Sequence, residues 1–116
     1  MFRKVLASLL VPLFLLSLGL LMAGGQRANP RKGKVFFKKY CRTCHDGSIE
    51  APVLQPITKT MDQWSREFEK TNHVQICLPR VTEQSKKVLI TQDLIDIQSY
   101  LVQHAADSDQ PATCSN

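Results

Sequence analysis

Apolar and polar residues recur with helical spacing in three stretches of the chain. In the first, Asn29 can cap a helix, Pro30 suits its first position, and no helix breaker follows before Tyr40. The apolar face predicted for this helix consists of Val35, Phe36, Phe37 and Tyr40. Gly33 lies within it and lowers its helix propensity, which indicates that another element packs closely at that position.

A second helix is predicted after a loop. The stretch 46–59 reads as the loop because glycine and proline interrupt it. The helix then runs from Thr60 to about Asn72, since Thr60 or Asp62 can cap its start and Asn72 suits a left-handed end. Its apolar stripe consists of Met61, Trp64 and Phe68.

The rest of the chain predicts one more helix. The pattern over 73–87 is irregular, and Pro79 indicates a break there. Thr91 is then predicted to cap a helix that runs through about His104. Its apolar side consists of Leu94, Ile97 and Leu101. Since no stretch alternates like a strand, the predicted class is all-α with three main helices.

An uncharged apolar run precedes these helices. Arg3 and Lys4 give it a positive start, and small residues close it at 23–25. This pattern predicts a bacterial-type signal peptide over 1–25 and export of 26–116, to the periplasm or a comparable compartment. The run is long for a signal core, so an uncleaved membrane anchor remains the alternative.

The exported part is small, and its charge is unevenly placed. A domain over 26–116 buries little apolar surface by itself. The basic residues concentrated over 27–42 are Arg27, Arg31, Lys32, Lys34, Lys38, Lys39 and Arg42. They form either a rim that steers an acidic protein partner or an ordinary solvated helix face. No interleaved aromatic pattern accompanies them, so nucleic acid is not a predicted partner.

The strongest chemical motif is the segment 41–45, which reads C-R-T-C-H. C-x-x-C-H is the attachment pattern of c-type haem. In it Cys41 and Cys44 would bond to the haem vinyl groups, and His45 would ligate the iron on the proximal side. We therefore expect one covalently bound haem c, which would also supply core volume that the short chain lacks.

Two other chemistries use paired cysteines. A redox C-x-x-C pair expects a strand before it, whereas a helix is predicted to lead into this motif. A zinc site needs a second pair of ligands at matching spacing, and Cys77 and Cys114 are too far apart in sequence to form one.

Further spacings carry a likeness to a known family. In the first helix Gly33, Phe37 and Cys41 are four residues apart, and in the last helix Ile97 and Tyr100 are three apart. The segment 51–54 reads A-P-V-L. Together with C-x-x-C-H, these features resemble the class I cytochromes c over about residues 29–104.

The resemblance implies a small class I-like fold around one haem. It implies that Gly33 lets the last helix cross the first closely, with an aromatic residue of each packed at the crossing. It further implies that the carbonyl of Pro52 accepts a hydrogen bond from His45, and that Leu54 lines the proximal pocket.

The sixth iron ligand departs from the family pattern, which usually places a Met before the last helix. No Met follows Met61, which stays an alternative ligand although core packing is its predicted role; an open sixth position is the other alternative. His73 is the first candidate, because a chain returning after the second helix would present it to the haem. Cys77 or Cys114 could instead ligate as a thiolate, or the two could form a disulfide. His104 is predicted to be a charge partner at a helix end.

Two function classes follow from these residues. The first is an exported one-electron carrier of low potential, serving redox partner proteins such as other cytochromes. The second is a haem module that binds or senses NO or CO, or a subunit of a larger redox complex, in either case as a monomer or a homo- or heterodimer. No catalytic constellation accompanies the motif, so an enzyme such as a peroxidase is not predicted.

Overall fold

The computed structural model of the chain describes residues 26–69 and 73–113. They form α1 (Pro30–Phe36), α2 (Met61–Glu67), α3 (His73–Ser85) and α4 (Thr91–Gln103). A π-helical turn, Phe37–Cys41, extends α1, and a 3₁₀ turn, Pro56–Thr58, precedes α2. The described part contains helices and no strand, so the all-α prediction is confirmed.

Residues 1–25, for which a signal peptide or anchor is predicted, lie outside the described part of the chain. Among the residues that the structure describes, no helix has the length and apolar character needed to cross a membrane.

Helix α1 begins where its local signals predict. The side-chain oxygen of Asn29 accepts a hydrogen bond from the amide of Lys32 at 3.1 Å, and Pro30 occupies the first turn. Phe37 and Tyr40 are buried, but Val35 is 59 % exposed. The predicted apolar face is therefore wrong at Val35 and narrower than expected.

Helices α1 and α4 cross at Gly33. A Cβ atom at this position would overlap the backbone carbonyl of Asp96 and lie 2.9 Å from the amide nitrogen of Ile97. Only a residue without a side chain permits this approach. The rings of Phe37 and Tyr100 pack beside the crossing with centroids 6.0 Å apart. The predicted close crossing is confirmed.

Two buried aspartates of α4 tie it to α1. The ammonium of Lys32 lies 2.8 Å from Asp93 and 3.3 Å from Asp96, and the amide of Asn29 donates to Asp96 at 2.8 Å. Burial raises the pKa of both carboxyl groups, but these hydrogen bonds, and one from the amide of Ile90 to Asp93, outweigh it. The net pKa of each aspartate lies below its usual value.

This pair predicts acid sensitivity. Because folding lowers both pKa values, the charged carboxylates stabilise the fold above the unfolded pKa of about 4, and this stabilisation is lost as the pH falls through the folded pKa. Asp96→Asn should be less stable at about pH 6 and lose less on going to about pH 3, as measured by urea unfolding. Asp62→Asn, at an exposed carboxylate, is the control. Equal losses in Asp96→Asn and wild type would contradict the prediction.

Helix α2 is shorter than predicted. Thr60 caps it as expected, accepting a hydrogen bond from the amide of Gln63 at 3.2 Å, but the helix ends at Glu67. Asn72, the predicted end, lies outside the described residues. Trp64 is buried, whereas Met61 is 38 % exposed, so core packing of Met61 was a wrong prediction. The first three residues of α2 are exposed, and burial begins at Trp64.

The prediction of irregular structure over 73–87 is wrong, because α3 continues through Pro79. A proline inside a helix removes one hydrogen bond and costs about 3 kcal/mol. One side of α3 is nevertheless apolar and half-buried. The residues on that side, spaced three or four apart, are Val74, Cys77, Leu78 and Val81.

The two ends of α4 also differ in detail from the prediction. Ile90, not Thr91, is the capping residue, since the carboxylate of Asp93 accepts a hydrogen bond from the amide of Ile90 at 3.1 Å. At the other end His104 is the C-cap, and its Nδ1 lies 2.8 Å from the carbonyl oxygen of Gln110 rather than beside a charged partner.

Candidate functional site

A cavity of about 480 Å³ lies between the π-helical turn, the following loop and helices α2, α3 and α4. Its volume falls within the roughly 300–1,000 Å³ that cofactor sites occupy. Most of its wall is apolar, and the side chains contributing to it include Tyr40, Leu54, Trp64, Val81, Leu94 and Ile97. Such a wall suits a large, mainly apolar group.

The two cysteines and the histidine of the C-x-x-C-H motif line this cavity, namely Cys41, Cys44 and His45. The π-helical turn ends at Cys41, whose carbonyl then accepts hydrogen bonds from the amides of Cys44 at 3.3 Å and His45 at 3.1 Å. This tight turn places two thiols and an imidazole on one wall.

The loop after the motif fixes the imidazole of His45. Its Nδ1 lies 2.7 Å from the carbonyl oxygen of Pro52. Since a carbonyl only accepts, Nδ1 is the protonated nitrogen, and Nε2 keeps the lone pair that binds a metal. The amide of Leu54 donates to the carbonyl of His45 at 3.0 Å, and Leu54 lines the cavity. Both residues named by the family resemblance therefore lie against His45.

The surroundings of the Cys41 thiol favour its neutral form. Burial, with smaller effects from the charges of Cys77 and Cys44, raises the pKa of Cys41 to about 12. A reactive redox cysteine needs a lowered pKa. The sulfur of Cys44 lies 3.0 Å from the side-chain oxygen of Gln84. These surroundings do not favour a redox pair.

Helix α3 brings two of the candidate sixth ligands to the cavity. His73 and Cys77 are four residues apart and both line it. The thiol of Cys77 is free and half-buried, and burial together with the nearby Cys44 raises its pKa. Met61 does not line the cavity, and Cys114 lies outside the described residues.

Glu67 and Lys59 form a charged group at the cavity wall. The carboxylate of Glu67 lies 3.0 Å from the ammonium of Lys59 and 2.9 Å from Nδ1 of His73. Burial raises the pKa of Glu67, but the hydrogen bonds from Lys59 and His73 outweigh it, so the net pKa lies below its usual value. All three residues line the cavity.

Sequence reasoning missed Glu67, Lys59 and the apolar face of α3. The face had a signal, since apolar residues recur at positions 74, 77, 78 and 81 with helical spacing. The ion pair had none, because it joins a residue ahead of α2 to the last residue of that helix.

Comparison of the chain with protein-family models, with curated proteins and with solved structures gave no match.

Proposed function

We propose that the chain holds one covalent haem c and serves as an exported one-electron carrier. The observation that supports this best is that Cys41, Cys44 and His45 line one apolar cavity, with His45 oriented by a hydrogen bond at Nδ1. The cysteines would hold the haem through thioether bonds, and His45 would ligate its iron. When bound, the haem supplies an iron centre that takes up and releases one electron.

The residues around the cavity would tune that centre. The carbonyl of Pro52 keeps the proton of His45 on Nδ1, which fixes the ring and makes Nε2 a better donor. Buried apolar side chains such as Trp64 and Ile97 keep water away, and such a shell is one of the factors that set a redox potential. The crossing at Gly33 supports a class I cytochrome c-like arrangement of α1 and α4 around the haem.

We assign the sixth ligand to α3, with His73 first and Cys77 as the alternative. Both line the cavity from the same helix, one turn apart. A Met ligand raises the potential of a cytochrome c, and neither candidate is a Met. The proposed carrier is therefore one of low potential.

Optical and EPR spectra of the purified ferric and ferrous protein test this function. A haem that survives denaturing electrophoresis and is low-spin in both oxidation states is the expected result. A purified, exported chain without covalent haem would refute the proposal.

A second candidate function is binding of NO or CO. The side chain of His73 is 83 % exposed, so a small ligand could displace it from iron at little cost to the packing. Rapid CO uptake by the ferrous protein, with CO replacing His73 on the iron, would favour this function over electron transfer.

The exposed side of α1 suggests the charge of the partner protein. Arg31 and Lys38 are exposed on α1 and on the π-helical turn that extends it, with half-buried Lys34 and exposed Val35 between them in the sequence. A basic surface attracts acidic proteins and loses that attraction at high salt. Reduction by an acidic redox protein should therefore slow with ionic strength and in Lys38→Glu. Lys86→Glu, in the α3–α4 connection, is the control. Equal rates in Lys38→Glu and Lys86→Glu would contradict a role for this surface.

A further inference from the structure

Two imidazoles line the cavity, and each has Nδ1 hydrogen-bonded to an oxygen. In His45 the acceptor is the carbonyl of Pro52 at 2.7 Å, and in His73 it is the carboxylate of Glu67 at 2.9 Å. An acceptor at Nδ1 holds the proton there and leaves the lone pair on Nε2. Both rings therefore keep the metal-binding lone pair on Nε2, although they come from distant parts of the sequence.

The carboxylate of Glu67 is held in place by its own contacts. Its side chain is 16 % exposed, and its second oxygen lies 3.0 Å from the ammonium of Lys59. Helix α2 is anchored in the core by Trp64, which is buried and donates its indole N–H to the carbonyl of Pro56 at 2.7 Å. Glu67 thus projects from a fixed helix.

His73, in contrast, has little else to hold its ring. Its side chain is 83 % exposed, and the hydrogen bond to Glu67 is the polar contact that the structure gives its ring. A ring in this position takes its orientation from the carboxylate.

We propose that Glu67 is the positioning residue for His73 as the sixth iron ligand. This inference rests on the proposed haem site and adds a residue to it. Glu67 does not reach the iron in this role, but acts through the imidazole. A carboxylate partner makes an imidazole a stronger donor than a carbonyl partner does, and a stronger donor favours ferric iron. The distal imidazole would therefore lower the potential more than the proximal one.

The variant Glu67→Gln tests this role, because it removes the charge and keeps the size of the side chain. Loss of such a partner typically weakens a metal site by about 10- to 100-fold. We expect weaker binding of His73, seen as CO displacing it more readily from ferrous iron, and a higher midpoint potential. A tenfold change in the ratio of ferric to ferrous affinity corresponds to about 59 mV.

Matched variants separate positioning from a general effect on the fold. Glu69→Gln alters an exposed glutamate two residues away. Lys59→Gln breaks the ion pair to Glu67 but leaves the contact with His73. In a His73→Met background, Glu67→Gln should produce no further shift in potential, since it would have no imidazole to act on. If Glu67→Gln folds poorly, Glu67→Asp, which withdraws the carboxylate by one methylene, should show the same displacement and potential shifts.

The possible outcomes separate a failure of the positioning role from a failure of the proposed haem site. Wild type without covalent haem would refute the haem site itself. Haem attached, with Glu67→Gln matching Glu69→Gln in spectrum, CO binding and potential, would refute only the positioning role. A low-spin spectrum that survives His73→Ala but is lost in Cys77→Ala would assign the sixth ligand to Cys77, and would overturn the inference while leaving the haem site intact.

Discussion

Replacing Cys41 or Cys44 with alanine is expected to prevent double attachment and to leave little folded holoprotein. The cavity that both thiols line has a volume of about 480 Å³. Most of the cavity wall is apolar, so without haem this surface would face water and its hydrophobic stabilisation, roughly 25 cal/mol per Å² of apolar surface, would be lost. The whole stability of a small domain is only about 5–15 kcal/mol. A chain without haem should therefore lose its fixed tertiary packing.

Haem staining of a denaturing gel measures attachment, and near-UV circular dichroism measures packing. Cys77→Ala is the matched control, because it removes a third thiol of the same cavity that lies outside the motif. It should keep covalent haem at the wild-type yield. Recovery of Cys41→Ala as a compact, haem-free helical protein at normal yield would show that the cavity needs no haem for folding.

The parts of the fold that local sequence determines were predicted well. Asn29 and Thr60 cap their helices through side-chain hydrogen bonds that span three residues, so a short pattern contains the whole interaction. The close packing predicted at Gly33 is also correct. A glycine destabilises a helix, and here the backbone of α4 lies too close for any side chain. The two caps and the glycine can be located from neighbouring residues in the sequence, without knowledge of how the helices pack.

Packing decided the parts that were predicted wrongly. Pro79 is a helix breaker by local rules, yet α3 continues through it, with one apolar side on the cavity wall. The opposite error occurred at Met61 and Val35, whose apolar side chains match a helical stripe but remain exposed. Sequence spacing says which residues share a helix face, but the neighbouring elements decide how much of that face they cover.

The candidate site also contains residues that a local pattern predicts and residues that only the packing of helices brings together. C-x-x-C-H and the following proline lie within a dozen residues, so the sequence alone could point to them. The network of Lys59, Glu67 and His73 depends on how α2 and α3 approach each other, and no local pattern encodes that. The hydrogen bond between His73 and Glu67 therefore could not be predicted from the sequence.

Substitution of Gly33 should give the largest loss of stability that leaves the haem spectrum unchanged. A side chain there would meet the backbone of Asp96 and Ile97, and backbone atoms cannot move aside as the end of a side chain can. Overpacking a tight contact costs about 1–3 kcal/mol and sometimes more. In a domain of this size, the upper end of that range corresponds to a fall in Tm of roughly 12 to 24 °C. Gly33 does not line the cavity, so iron ligation should not change.

Gly33→Ala gives the sharpest test, because two effects oppose each other there. Alanine favours a helix over glycine by about 1 kcal/mol, so α1 alone would gain stability. The overlap already begins at the Cβ atom, so the crossing predicts a net loss instead. Thermal melts of Gly33→Ala and Gly33→Leu measure this, with Val35→Leu, at an exposed position of the same helix, as the control. An alanine variant that melts above wild type would mean that α4 does not cross α1 at Gly33, and the class I-like arrangement would lose its main support.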